Sequence, residues 1–235
     1  MDDGFRQAVR VQPVETRSTS RYDESDGTRS RSKDGVPVSR HAKHPTGTRR
    51  PRAGVFVESG NPMSGSNHRK YLPNSHPCFV CGEANHAGLQ VRFYVEDGEV
   101  RARWNAREHH CGYEHTVHGG VIAALLDECM AWAAARAITR SCVTGELTVR
   151  YLRPVPDSKD LTACAKAEKV SRRLVVVSGR LLGDDGVEYA RANGKFLPLS
   201  AEETLRVDDG LIYRGGEERL FDELRAQVRG SAAAT

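Results

Sequence analysis

The stretch His118-Gly119-Gly120-Val121-Ile122-Ala123-Ala124-Leu125-Leu126-Asp127-Glu128 decides how this chain is read. From Gly119 to Ile138 the sequence is rich in Ala and Leu, which are strong helix formers. Val121, Ile122, Leu125, Leu126, Cys129 and Met130 recur at three- and four-residue spacing, so one long helix is expected over 119–138. Its faces are nearly all apolar, which argues that it is buried. Gly119, Gly120, Ala123, Ala124 and Asp127 fall on one stripe of that helix. A stripe of small residues that ends in an acid lets another backbone or a ligand come close to a carboxylate.

The chemistry follows from the ends of this stripe. A helix start carries unpaired N–H groups and the positive end of the dipole. Glycines at 119 and 120 leave those donors unshielded, so they suit the oxygen of a polarised carbonyl. An acid inside an apolar helix is costly without partners or a task, and burial raises its pKa toward that of a general base. Gly120 and Asp127 are separated by roughly 10 Å of helix rise, whereas a carboxylate and oxyanion donors must act within about 3 Å of one reacting group. If both act together, the donors come from a second, antiparallel copy of the helix, and the site crosses a dimer interface. Each feature also has a plain structural use. The Gly-Gly pair can mark a tight helix start, His118 can hold the turn by a hydrogen bond, and Asp127 and Glu128 can sit on a wet helix side. Glu128 is the competing acid; it points about 100° away around the helix, so only one of the two faces the glycine stripe.

Outward from the helix, residues 89–105 are expected to form a hairpin. Leu89, Val91, Phe93 and Val95 alternate with polar residues, Asp97-Gly98 marks the turn, and Val100, Ala102 and Trp104 line the returning strand's inner face. Four strands are expected after the helix, at 144–152, 161–170, 174–182 and 187–196. One long helix with antiparallel strands on both sides in sequence is an α+β pattern. Residues 199–235 are charged, with a short amphipathic helix expected over 217–228.

Residues 1 to about 70 are rich in Arg, Ser, Thr, Asp, Gly and Pro and poor in large apolar side chains. Such a segment cannot offset its ordering entropy by burial and reads as disordered. Met63 offers an internal start just ahead of the ordered region. The formal net charge is +4. The basic clusters, Arg49-Arg50-Pro51-Arg52 and His68-Arg69-Lys70, lie outside the periodic region, and acids are interleaved with the other bases, so a nucleic-acid partner is not expected. The start Met1-Asp2-Asp3-Gly4-Phe5 lacks a secretory pattern, and no run approaches 18 apolar residues, so the cytoplasm is the expected location and no membrane partner is expected.

Six cysteines are present. Cys129 and Cys164 fall in apolar patterns and read as small buried hydrophobes. Cys78-Phe79-Val80-Cys81-Gly82 has metal-like spacing with His76 and His86 nearby, but a structural zinc site needs four ligands and no second pair is evident. Redox use would need a βαβ context, which is missing. The favoured reading is a structural lead-in segment, with no metal and no cofactor.

The string HGGVIAALLDE resembles the signature of hotdog-fold thioesterases of the phenylacetyl-CoA (PaaI-like) type. The stretch from Thr144 to Val155 is similar to that family's strand after the helix. The resemblance covers residues 76–198. It implies a hotdog fold, a curved antiparallel sheet around one long helix, in homodimers or homotetramers. It implies hydrolysis of acyl-CoA or acyl-carrier thioesters, with a non-catalytic acyl-CoA-binding module as the alternative. By the same resemblance Asp127 is the nucleophile or general base. The amide of Gly120 or Gly119 polarises the carbonyl from the partner subunit. Thr144 positions water, and His118 shapes the turn. Many relatives carry Asn or Gln six residues before the histidine. Here that position is Gly112, with His109, His110 and His115 as nearby substitutes.

Overall fold

The computed structural model describes residues 69–232. The expectations about the first 68 residues, disorder and the Met63 start included, lie outside the described residues. The chain opens with two short strands, β1 (Lys70–Tyr71) and β2 (Asn74–Ser75), and then a hairpin of β3 (Phe93–Glu96) and β4 (Glu99–Asn105). A 3-10 turn at Glu108–His110 leads into the small pair β5 (Cys111–Tyr113) and β6 (Thr116–Val117). Helix α1 (Gly119–Ile138) follows, then the long strands β7 (Cys142–Tyr151), β8 (Asp160–Val170), β9 (Val175–Gly183) and β10 (Glu188–Pro198). Helix α2 (Ala201–Asp209), strand β11 (Leu211–Ile212) and helix α3 (Asp222–Ala232) complete it.

Seven strands form one antiparallel sheet in the order β1-β3-β4-β8-β9-β10-β7, and β11 pairs with β2 apart from it. α1 packs against this sheet, with Leu125, Leu126, Cys129 and Met130 fully buried opposite Val175, Val177, Leu181 and Phe196. This is the hotdog arrangement. The helix approaches closely because the sheet is glycine where Met130 lands. A Cβ at Gly179 would stand 2.8 Å from the Met130 Sδ, and one at Gly194 would stand 3.0 Å from its Cε.

The hairpin turn lies at Asp97-Gly98, both at positive φ (53° and 78°), the backbone of a tight two-residue connection. Its inner face, Val100, Ala102 and Trp104, is buried as the alternation predicts. The first strand is shorter than expected. Gln90 takes φ 54°, and the Leu89 and Val91 N–H groups donate to Phe79 O and Val80 O rather than to a sheet neighbour. Leu89 and Val91 are therefore buried against the Cys78–Cys81 loop, not in the ladder.

Two features bear on the site. β7 closes one side of the sheet with β10 as its only neighbour among the described residues, so a ten-residue edge stays open. Tyr151 and Val143 on that strand are about half exposed. At the C-terminal end, buried Asp208 accepts from the Tyr213 hydroxyl and the Arg225 guanidinium, both at 2.6 Å, which ties α2 to α3. Among the described residues no helix is long and apolar enough to cross a membrane.

Candidate active site

Asp127 lies on the third turn of α1, on the side that faces β7. Thr144, the third residue of β7, donates its Oγ1 hydrogen to Asp127 Oδ1 at 2.8 Å. The carboxylate is half-buried. Burial pushes its pKa above the ordinary aspartate value, and the Thr144 bond opposes that rise without cancelling it. Oδ2 has no bonded partner among the described residues, so one oxygen is held and the other is left to accept a proton.

The helix start is held by two residues, His118 just ahead of α1 and Tyr151 on β7. His118 is the N-cap, in extended backbone (φ −62°, ψ 132°), and its Nδ1 accepts the Gly120 N–H at 2.9 Å. Its carbonyl takes the Val121 N–H at 3.0 Å. Tyr151, at the far end of β7, donates its hydroxyl to the Gly119 carbonyl at 2.7 Å. The ring leaves no spare room there, since a Cβ on Gly119 would stand 3.2 Å from it. Sequence reasoning misses Tyr151. Its only signal is an aromatic at the end of the strand that also carries Thr144.

One expectation needs revision. The sequence presents Gly119 and Gly120 as two open donors, but the Gly120 N–H is occupied by the His118 ring. The open donor of the first turn is the Gly119 N–H, to which no acceptor is bonded among the described residues. Beside it lies a groove of about 360 Å³, lined by Thr116, Gly119, Ile122, Tyr151 and Pro154 among others.

The expected residues thus form two groups. Asp127 meets Thr144, and His118 meets Gly119 and Gly120. Within one chain they stand at opposite ends of two helical turns, roughly 10 Å apart along the axis.

Glu128, the competing acid, turns to the other side of the helix. Its Oε1 lies 3.7 Å from Cys78 Sγ, and burial pushes its pKa up to about 7, the neighbouring Cys78 adding to the rise. The position where relatives carry Asn or Gln is closed: a Cβ at Gly112 would meet His118 Cδ2 at 2.9 Å. The nearby histidines have other attachments. His110 is buried against Trp104 and accepts the Arg107 N–H, and His115 is exposed beside Asp157. The His109 ring packs at a tilt against that of His110.

Comparison with known proteins finds similar chains and one family match. Residues 114–190 match the family described as Thioesterase superfamily. A Schizosaccharomyces pombe protein described as uncharacterized is 35% identical over 95 residues, covering 38% of this chain and 54% of that one. The chain thus spans about half the length of the curated relative it matches. A solved thioesterase superfamily protein, RHA08564, is 29% identical, with 52% of this chain and 60% of that chain covered at a TM-score of 0.48. The E. coli PaaI protein from the phenylacetic acid degradation operon is 20% identical, with 51% and 84% covered at a TM-score of 0.46.

Proposed function

Starting from a chain whose residues 114–190 match the thioesterase superfamily, we propose that it hydrolyses an acyl-CoA or acyl-carrier thioester to a carboxylic acid and a free thiol. The observation that carries this reading is the Thr144–Asp127 hydrogen bond, which fixes a half-buried carboxylate on a largely apolar helix.

Asp127 acts as the general base. A water held near Thr144 gives its proton to Oδ2 while its oxygen attacks the thioester carbonyl carbon. The developing oxyanion is taken by the Gly119 N–H of a second copy, at the positive end of its helix. The C–S bond then breaks, and the thiolate leaves and takes up a proton. A thiol is a good leaving group, so the step calls for no metal or redox cofactor.

The open edge of β7 supports a two-copy site. An unpaired ten-residue strand is a template for pairing with another chain. Pairing two β7 edges about a two-fold axis lays the two α1 helices side by side and antiparallel. Asp127 of one copy then meets the first turn of the other, in a homodimer or a homotetramer built from such dimers.

A second reading has its own observation. With Gly112 pressed on His118, the site lacks a polar side chain that many relatives direct at the substrate carbonyl. A domain that binds acyl-CoA without turning it over would show saturable binding and no thiol release. Purified full chain assayed on short, long and aromatic acyl-CoAs separates the two. The hydrolase reading expects thiol release that falls by about 10²–10⁴ in kcat/KM in Asp127→Asn. Undiminished release in that variant rules out the assigned base.

A further inference from the structure

The Cys-x-x-Cys pair, which has no second pair near it in the sequence, acquires a third ligand in the fold. Cys78 Sγ, Cys81 Sγ and a Glu128 carboxylate oxygen all lie within 4.8 Å of one another. We propose that Cys78, Cys81 and Glu128 form a zinc-class divalent cation site that fastens the 78–91 lead-in loop to α1.

The loop is shaped to aim both sulfurs at one point. The Val80 and Cys81 N–H groups donate to Cys78 Sγ at 3.3 and 3.2 Å. The Gly82 N–H closes the turn on Cys78 O at 3.0 Å. Only glycine fits at 82, because a Cβ there would stand 2.4 Å from the Cys78 carbonyl oxygen and 2.5 Å from that of His76. Glu128 enters from a helix already locked into the core by Leu125, Leu126 and Cys129. Tetrahedral zinc, with bonds of about 2.3 Å to sulfur and about 2.0–2.2 Å to oxygen, sets neighbouring ligand atoms roughly 3.6–3.8 Å apart. The Cys78 Sγ to Glu128 Oε1 separation is 3.7 Å.

Charge points the same way. In the metal-bound form two thiolates and a carboxylate would be neutralised by the cation, as buried charges require. Among the described residues no lysine or arginine bonds to any of the three. A pair of thiolates selects zinc over magnesium or calcium. Cys81 is buried and Cys78 partly exposed, so solvent approaches the cluster from the Cys78 side and would supply the fourth ligand. The sequence expectation of no metal rests on counting ligands near the pair. Glu128, far along the chain, escapes that count.

The test reads metal binding and needs no catalytic activity. Full-length chain is reduced, stripped with chelator and titrated with cobalt(II). The expected result is a thiolate-to-cobalt charge-transfer band that saturates at one equivalent and is abolished by zinc(II). The band is lost in Cys78→Ser and Cys81→Ser. Glu128→Gln, which keeps size and helix propensity, weakens cobalt binding by about tenfold or more. Absence of the band in the folded wild-type chain overturns the proposal, as does a band unaltered in Glu128→Gln. So does recovery of the purified chain with Cys78 and Cys81 joined as a disulfide and no cobalt band after reduction.

Discussion

Thr144 on the open edge strand donates to Asp127 in the middle of α1, at 2.8 Å. This bond orients one carboxylate oxygen and leaves the other free. A hydrogen bond to a charged group contributes about 1.5–3 kcal/mol. Thr144→Val is therefore expected to lower kcat/KM for acyl-CoA hydrolysis by about ten- to a hundredfold, while Thr144→Ser stays near wild type. Steady-state thiol release checks both. Equal losses in the two variants would show that the hydroxyl is not what matters.

The His118 ring caps α1 through the Gly120 N–H. Loss of an N-cap costs about 1 kcal/mol, so His118→Ala should lower Tm by about 2–4 °C. His118→Asn offers an acceptor of similar reach and should recover most of that loss. Thermal melts of the three proteins decide it.

Gly112 is packed on the same ring: a Cβ added to it would come to 2.9 Å from His118 Cδ2. Gly112→Asn restores the residue type that many relatives carry, yet here it must displace the cap. Overpacking costs about 1–3 kcal/mol. The expected outcome is a lower Tm with no gain in kcat/KM; a faster enzyme of unchanged Tm would contradict the packing argument.

His110 is buried, and desolvation, helped by His109 and Arg107, holds its pKa down to about 4, below the ordinary 6.5. Its Nδ1 must stay unprotonated to accept the Arg107 N–H at 3.0 Å. Between pH 6.5 and 4 the unfolded chain binds the proton that the folded chain refuses. The stability that neutral His110 contributes is thus complete above about pH 6.5 and is lost as pH falls toward about 4. Urea midpoints of wild type and His110→Gln should differ most near pH 7 and converge by about pH 4.5. A gap that stays constant or widens in acid would refute this assignment.

The central helix and the strands around it are legible because burial imposes periods that a sequence displays. Val100, Ala102 and Trp104 alternate, and Leu125, Leu126, Cys129 and Met130 repeat at helical spacing. The Asp127–Thr144 pair is legible only through the family resemblance, since nothing local joins a helix acid to a strand hydroxyl. Three features are hidden for the same reason. Tyr151 reaches Gly119, Glu128 reaches Cys78, and Leu89 and Val91 bond to the cysteine loop, each through contacts that the fold alone creates. The His118 cap is foreseeable as a hydrogen bond in the turn, but not its consequence, that it occupies one of the two glycine donors.

The shared site itself can be measured with two crippled chains in one dimer. Asp127→Asn removes the base. Gly119→Pro removes the open donor at a helix position that favours proline, after a residue already in the extended backbone that proline requires; the Tyr151 ring need yield only slightly. Each homodimer should be inactive toward acyl-CoA. A purified heterodimer of the two keeps one complete site, the carboxylate from one chain and the amide from the other, and should recover about half the wild-type rate per dimer by mixing of subunits. A heterodimer as inactive as its parents would contradict a site that spans two copies.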